Sequence, residues 1–343
     1  MLLNQQSFYL SIGSNYKLQI QYFPMKNYIL AVVLLFAAIS LLKAQQEDKI
    51  FVEQPELLFS GGQGLLLEGP TFSPKGFLYF TDLIGFSMNP GDKTSLIWKY
   101  DVENKKASVY RSPSGQANGM MVDKQGRLVV CEGSLFGGRR ITRTDLKTGI
   151  SELIVGLYND KPFNGPNDIA IDEQGRMYFT DPKFMGHEIM EQPVHGIYRV
   201  DTNLTTQLII EDIKQPNGII ISPDQTTLYI STSNKSSALL AYDITSEEQV
   251  KFKGKIADFG PSIGDGMAVD TDGNIYVAHP MQNRLAVYTT KGGKIDEIRL
   301  PNEPITNMVF GRGENSNTLF ITTGKNLYSI KTSKKGYNLP FEK

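Results

Sequence analysis

Six times along this chain a residue with a side-chain oxygen stands just ahead of a short apolar run and a turn. The six segments are Glu68-Gly-Pro-Thr-Phe, Asn118-Gly-Met-Met-Val, Asn167-Asp-Ile-Ala-Ile, Asn217-Gly-Ile-Ile-Ile, Asp265-Gly-Met-Ala-Val and Asn307-Met-Val-Phe. They lie 50, 49, 50, 48 and 42 residues apart. A fixed period in this range marks a chain built from one supersecondary unit repeated, as in propellers and solenoids. If six such units close into a ring, six equivalent positions face one axis, and here those positions carry amide and carboxylate oxygens.

Each unit reads as a four-stranded antiparallel sheet. In the third, Ile169–Asp172 is an apolar inner strand, Glu173-Gln-Gly175 a tight turn, and Arg176–Thr180 the returning strand. A longer loop from Asp181 to Gly196 leads to Ile197–Val200, a further turn and Gln207–Ile210. Short alternating runs joined by Gly, Asp and Asn turns are hairpin signals. No long helical periodicity appears after the leader. The expected fold is all-β: a six-bladed β-propeller of four-stranded antiparallel blades. At about 48 residues a unit, six units need about 290 residues. Gln45 to Lys343 supplies 299, which leaves no room for a second domain.

Residues 1–44 read as a leader, with Met25 a candidate start. Met25-Lys-Asn-Tyr is followed by 14 mostly apolar residues, Ile29 to Leu42, and then Lys43-Ala44 before a polar stretch. A basic start, a short apolar centre and a small residue before a polar segment describe a secretory signal peptide. A bilayer span needs about 20 residues. The mature protein, 45–343, is therefore expected to be exported, periplasmic or secreted, with no membrane attachment once the signal is removed. The formal net charge of −1, with no basic stretch, excludes the electrostatic footprint of a nucleic-acid binder. The single Cys131 lies in the strand-like run Arg127-Leu-Val-Val-Cys and reads as a small buried hydrophobe.

Topology places the axial residue at the start of each innermost strand, at one mouth of the channel. The second strand runs back to that mouth, so Asp82, Asp181 and His279 at its end, and loops 83–95, 183–196 and 280–284, should rim it. Phe184, Met185 and Met190 are candidates for an apolar lid. Glu68, Asn118, Asn167, Asn217 and Asp265 offer oxygen alone. Such a set suits calcium, which takes 6–8 oxygen ligands and accepts amide carbonyls. Zinc prefers nitrogen and sulfur. Turn chemistry could account for the Asn-Gly and Asp-Gly pairs, but it does not require Glu68 in the same register. Gly260-Pro-Ser262-Ile-Gly264 matches a nucleophile elbow in pattern but falls in a loop. Asp270-Thr-Asp272-Gly273 reads as a hairpin turn, not as a calcium loop.

At these residues the chain resembles the gluconolactonase family, which includes regucalcin, the luciferin-regenerating enzyme and diisopropylfluorophosphatase. The resembling segments are Glu68-Gly-Pro, Gly165-Pro-Asn-Asp168, Tyr178-Phe-Thr-Asp-Pro182, Pro216-Asn-Gly218, Asp265-Gly-Met267 and Arg139-Arg-Ile-Thr-Arg143, spread over about residues 60 to 325. The resemblance implies a six-bladed propeller with one catalytic Ca2+ and hydrolysis of esters or lactones. It matches Glu68, Asn167, Asn217 and Asp265 to the calcium ligands, and sets Asn118 beside the metal, nearer the substrate. Gly165 stands where the regucalcin branch has arginine, so the sugar contacts of that branch are in question here.

The expected function is hydrolysis of a sugar lactone to the aldonic acid, with calcium polarising the carbonyl. Asp265 is the expected general base, while Asn118, Asp181 and His279 are expected to meet the substrate. A small-molecule lactone is the expected partner, and the protein a monomer. Two alternatives compete: a phosphotriesterase or other esterase on the same site, and a non-enzymatic ligand-binding propeller.

Overall fold

The computed structural model describes residues 7–11, 17–21, 49–83, 95–245, 249–300 and 302–341. The apolar leader segment and loop residues 84–94 lie outside them. The described residues fall into two units, 1–49 and 50–343. In the first, Ser7–Ser11 pairs antiparallel with Lys17–Gln21.

The second unit is the six-bladed, four-stranded propeller the repeat predicts. Blade 1 comprises Leu66–Phe72, Phe77–Leu83, Leu96–Asp101 and Lys106–Arg111, from the axis outward. Blade 2 is built from Ala117–Val122, Arg127–Glu132, Arg140–Asp145 and Ser151–Val155. Ile169–Ile171, Met177–Asp181, Gly196–Val200 and Thr206–Ile210 form blade 3. Blade 4 has Pro216–Ile221, Thr227–Thr232, Ala238–Ile244 and Val250–Asp258. Met267–Val269, Ile275–His279, Arg284–Tyr288 and Lys294–Arg299 make blade 5.

Blade 6 closes the ring. Its inner strands are Asn307–Phe310, Thr318–Thr322 and Asn326–Lys331, and its outermost strand is Glu56–Ser60 from the start of the domain. Leu57 pairs with Tyr328 and Phe59 with Leu327. Two stretches near the start of the domain, Ile50-Phe-Val-Glu53 and Leu57-Leu-Phe59, read from the sequence as candidates for this strand, and each has a place. Leu57–Phe59 supplies the strand, while Ile50 and Phe51 pack into the core between blades 5 and 6.

Strands buried on both faces explain the near-continuous apolar runs. The six apolar clusters sit one at each blade-to-blade interface, so the core is a ring with no single centre. Cys131 is fully buried in the cluster between blades 2 and 3, as expected for a small hydrophobe. The hairpin turns are self-contained. Asp172 accepts hydrogen bonds from Gln174 N (3.0 Å) and Arg176 N (2.8 Å), and Asp270 does the same for Asp272 N and Asn274 N. The Asp270 turn is therefore a hairpin device, as its sequence suggests.

The channel is closed at the end remote from the axial oxygens. Tyr337 N donates to Val269 O, and the Tyr337 hydroxyl donates to Glu173 Oε1 (2.8 Å) while accepting from Gln225 Nε2 (2.9 Å). Leu339, fully buried, is fixed by Arg312 Nη1 on its carbonyl at 2.9 Å. This tail caps a chamber of about 100 Å³ lined by Met120, Ile171, Ile219, Val269 and Phe310. A substrate must therefore use the other mouth.

Candidate active site

The glycine after most axial residues has a reason the turn reading misses. A Cβ on Gly69 would lie 1.9 Å from Asn118 O, one on Gly119 2.7 Å from Asn167 O, and one on Gly218 2.4 Å from Asp265 O. On Gly266 it would lie 2.0 Å from the Asn307 side chain. Each glycine lets the next blade bring its own axial residue against this one. Hydroxyls at the ends of second strands lock the arrangement. Thr81 donates to Asn118 O (3.2 Å), Thr180 to Asn217 O (2.8 Å) and Ser231 to Asp265 O (2.6 Å).

At the hub the structure brings Glu68, Asn217, Asp265 and Asn307 together. Glu68 Oε2 accepts from Gly69 N (3.0 Å) and from Asn307 Nδ2 of the last blade (3.1 Å). The Asn217 side chain donates to the Asp265 carboxylate and also reaches Ser233 Oγ at 2.9 Å. Asp168 joins them. It went unassigned in the sequence because its neighbour Asn167 held the periodic position. Its Oδ1 accepts from Ile169 N (2.9 Å) and its Oδ2 from Ile219 N of blade 4 (3.2 Å).

The electrostatics of this cluster are one-sided. Burial pushes Glu68 up to about 7, against the pull of Gly69 and Asn307, with Asp168 adding to the rise. Burial also pushes Asp168 up to about 7. Asp265 is driven well above the usual carboxylate range by burial first, then by the charges of Glu68 and Asp168. Asp265 nevertheless keeps partial contact with solvent. Among the described residues none of the three carboxylates forms an ion pair, although 13 such pairs occur elsewhere. Buried like charges without a counter-charge are costly, and they are relieved by protons or by a bound cation.

Asn118 and Asn167 stand on the mouth side. Their carbonyls belong to the hub, but neither side-chain amide has a hydrogen-bond partner among the described residues, and both keep partial exposure. They line a narrow cleft of about 30 Å³ with Leu83, Pro166, Pro182, Phe184 and Met185. The expected apolar lid is thus half present: Phe184 and Met185 face the cleft, whereas Met190 is exposed outside it.

Asp181 and His279 end their second strands as predicted, but neither reaches the cleft. Asp181 is fully buried, its Oδ2 accepting from Asn164 N (2.8 Å) and its Oδ1 from Gly165 N (2.6 Å). His279 is also fully buried, with Nδ1 3.0 Å from Ile263 O and Nε2 3.2 Å from the Tyr288 hydroxyl. Ile263 O can only accept, so Nδ1 carries the proton and Nε2 accepts. Both residues brace the loop that enters the axial strand of their own blade, and neither leaves surface for a substrate. The same geometry disposes of Ser262 as a nucleophile. It lies 3.3 Å from His279 Nδ1, a nitrogen already committed as a donor, and it is buried.

Among the described residues no three His, Cys, Asp or Glu side chains converge closely enough to hold a metal by themselves. A cation at the hub would therefore draw on amide oxygens as well as carboxylates. The donor set fits one: two to three unpaired carboxylates and three axial amides, all oxygen, match the preference of a hard cation with flexible coordination.

Comparison with known proteins agrees with this architecture. The model of the SMP-30/Gluconolactonase/LRE-like region matches residues 66–325. A gluconolactonase of Zymomonas mobilis is 29% identical over 298 residues, covering 78% of this chain and 79% of that protein. Lactonase drp35 of Staphylococcus epidermidis is 30% identical over 305 residues, covering 80% of this chain and 86% of that protein. The solved gluconolactonase XC5397 of Xanthomonas campestris superposes with a TM-score of 0.73 at 26% identity, over 84% of this chain and 92% of that one. With the ring of axial oxygens and the repeat that builds it, these matches make the chain a member of the SMP-30/gluconolactonase/LRE-like family.

Proposed function

We propose that this protein is a lactone hydrolase that works with one calcium ion at the hub. The observation that carries the reading is the group of carboxylates Glu68, Asp168 and Asp265, which has no counter-charge among the described residues. Beside it stand two amides, Asn118 and Asn167, that the fold leaves unused. Relatives named gluconolactonase and lactonase support the reaction class.

Glu68, Asn167, Asn217 and Asp265 would hold the ion. When bound, calcium supplies Lewis-acid polarisation of the lactone carbonyl and stabilises charge developing on its oxygen. The residues do the rest. Asn217 orients the Asp265 carboxylate, which takes the proton of the attacking water and returns it to the ring oxygen as the acyl C–O bond breaks, leaving the hydroxy acid. Gly69 and Asn307 fix Glu68. Asn118 presents its free amide to the lactone from the cleft side, and Leu83, Pro166, Phe184 and Met185 keep bulk water from the reacting ring.

A panel of lactones, carboxylic esters and organophosphates, assayed with and without chelator, tests this. Lactone turnover that chelator abolishes and calcium restores is expected. Turnover confined to organophosphates would move the reaction to phosphotriester hydrolysis, and turnover indifferent to chelator would remove calcium from it. We also propose that the chain is exported with its leader cleaved near Ala44. N-terminal sequencing of the secreted protein should begin close to Gln45.

A further inference from the structure

The wall of the cleft is made by a loop of blade 3, residues 182–195, leaning on a loop of blade 2, residues 133–139. One carboxylate makes two of the hydrogen bonds that join them, beside Ser134 Oγ on Met185 O and Arg139 Nη2 on Ile189 O (3.5 Å). Glu188 Oε1 accepts from Phe136 N at 2.7 Å and its Oε2 from Leu135 N at 3.2 Å. Leu135 and Phe136 both have left-handed backbones, with φ of 59° and 61°. That conformation is strained for an L-residue, and here it turns two successive N–H groups toward one acceptor.

The surroundings are fitted to this contact. Ser134 Oγ donates to Met185 O at 2.6 Å, and Lys183 Nζ to the carbonyl of Glu188 itself. A Cβ on Gly186, whose φ is 98°, would lie 2.0 Å from Glu188 Oε2 and 2.7 Å from Leu135 N. Glycine is therefore the residue that lets the carboxylate reach the amides. The far end of the loop is tied separately. Buried Gln192 donates from Nε2 to Tyr158 O and Lys161 O, both at 2.9 Å, and Asn164 Nδ2 donates to Val194 O at 2.9 Å. The stretch between Pro182 and Gln192, which carries Phe184 and Met185, thus has Glu188 as its central tie to blade 2.

We propose that Glu188 is a specificity-determining positioning residue, whose carboxylate clasps the blade 3 loop to blade 2 and fixes the Phe184–Met185 wall over the axial oxygens. It touches no reacting atom, so its effect falls on substrate binding. The cleft is held shut to a set width by an ionic side chain docking into backbone donors, and the width limits the substituent a lactone can carry. This inference rests on the hydrolase reading for its kinetic consequence but not for its structural one.

The test compares wild type with Glu188→Ala and Gly186→Ala, using glucono-1,5-lactone and δ-decalactone as probes. Both variants should raise KM for the wild type's better substrate about tenfold while kcat stays within about twofold, as for loss of uniform binding. The ratio of kcat/KM for the two lactones should shift about fivefold or more toward the bulkier one. In the same proteins, hydrogen exchange of residues 134–137 and 184–190 should accelerate at least tenfold while blade strands stay protected. Glu188→Gln, which keeps an acceptor, should fall between wild type and Glu188→Ala. Unchanged exchange in both segments, or unchanged KM and ratio with faster exchange, overturns the proposal. A wild type inactive on every lactone removes the hydrolase reading, and the exchange result then still decides the clasp.

Discussion

Two rings of acidic and polar residues circle this propeller, one at the start of the inner strands and one at the end of the second strands. They differ in who answers their charge. At the second-strand ends, Asp82 accepts from Gln63 N, Gly64 N and Trp98 Nε1 at 2.8–3.1 Å, and Asp181 from Asn164 N and Gly165 N. Glu132 is met by Arg111 at 2.5 Å and Arg140 at 2.7 Å. At the axis, Glu68 and Asp265 are approached by amides and by one another, and among the described residues no cation pairs with them. On the reading proposed above, the same residue type is scaffold in one ring and ligand in the other, although Asp181 shares the rise: burial pushes it up to about 7 despite its two backbone donors. Buried acids that the fold leaves electrostatically unanswered are where function was built at the expense of stability.

If that division is right, the two rings must respond oppositely to neutralisation. The largest effect belongs to Asp265→Asn, which should lower kcat/KM about 10³-fold or more, roughly 4 kcal/mol. The same variant in chelator should unfold at a higher denaturant concentration than wild type, because a repulsion is gone. A variant that loses activity and stability together would put Asp265 in the scaffold. Asp181→Ala should do the reverse and destabilise the fold by about 3 kcal/mol, since two buried backbone N–H groups lose their acceptor. Chemical denaturation measures this directly, and the properly folded fraction should retain its calcium site.

His279 gives a pH test of the scaffold ring. Burial, aided by the Arg284 charge, lowers its pKa from 6.5 to about 4, against the pull of Ile263 O. At this residue the unfolded chain binds more protons between these values, so the His279 contribution falls as pH drops from 6.5 toward 4, whereas Glu68, Asp168 and Asp181, pushed up to about 7 by burial, contribute with the opposite sign. The His279 contribution should amount to about 2 kcal/mol between pH 6.5 and 4.5, read as the difference between the wild-type and His279→Gln profiles. An equally steep profile in the variant would place the titration elsewhere. The smallest effect is expected for Thr180→Val, which removes the hydroxyl that Asn217 O accepts and should cost about 1 kcal/mol.

The sequence showed the repeat, the fold and the hub because a propeller writes its symmetry as a period. Blade-to-blade distance is constant, so Glu68, Asn118, Asn167, Asn217, Asp265 and Asn307 recur in register. It showed less where meaning depends on the neighbouring blade. The glycines after the axial residues looked like turn chemistry, whereas the space they clear is filled by the next blade. Asp181 and His279 stand at the predicted end of their strands, but strand alternation and the loops packed over them turn their side chains into the wall. No periodic signal separates an acid facing the cleft from one facing backbone amides. Asp168 was overlooked for a related reason: it is one residue off the period, and its role in joining blades 3 and 4 shows only when Ile219 N is in place. The closing strand could not be chosen because Ile50–Glu53 and Leu57–Phe59 are equally apolar, and only pairing with Tyr328 and Leu327 selects the second.

The central claim is that the unanswered acids at the axis await a divalent cation. Titration calorimetry of metal-stripped protein with Ca²⁺ tests it most directly. One ion per chain is predicted for wild type, with affinity weakened at least about 100-fold in Glu68→Gln and Asp265→Asn and little changed in Asp181→Asn. No heat of binding with wild type, or equal affinity in the axial variants, would contradict the account.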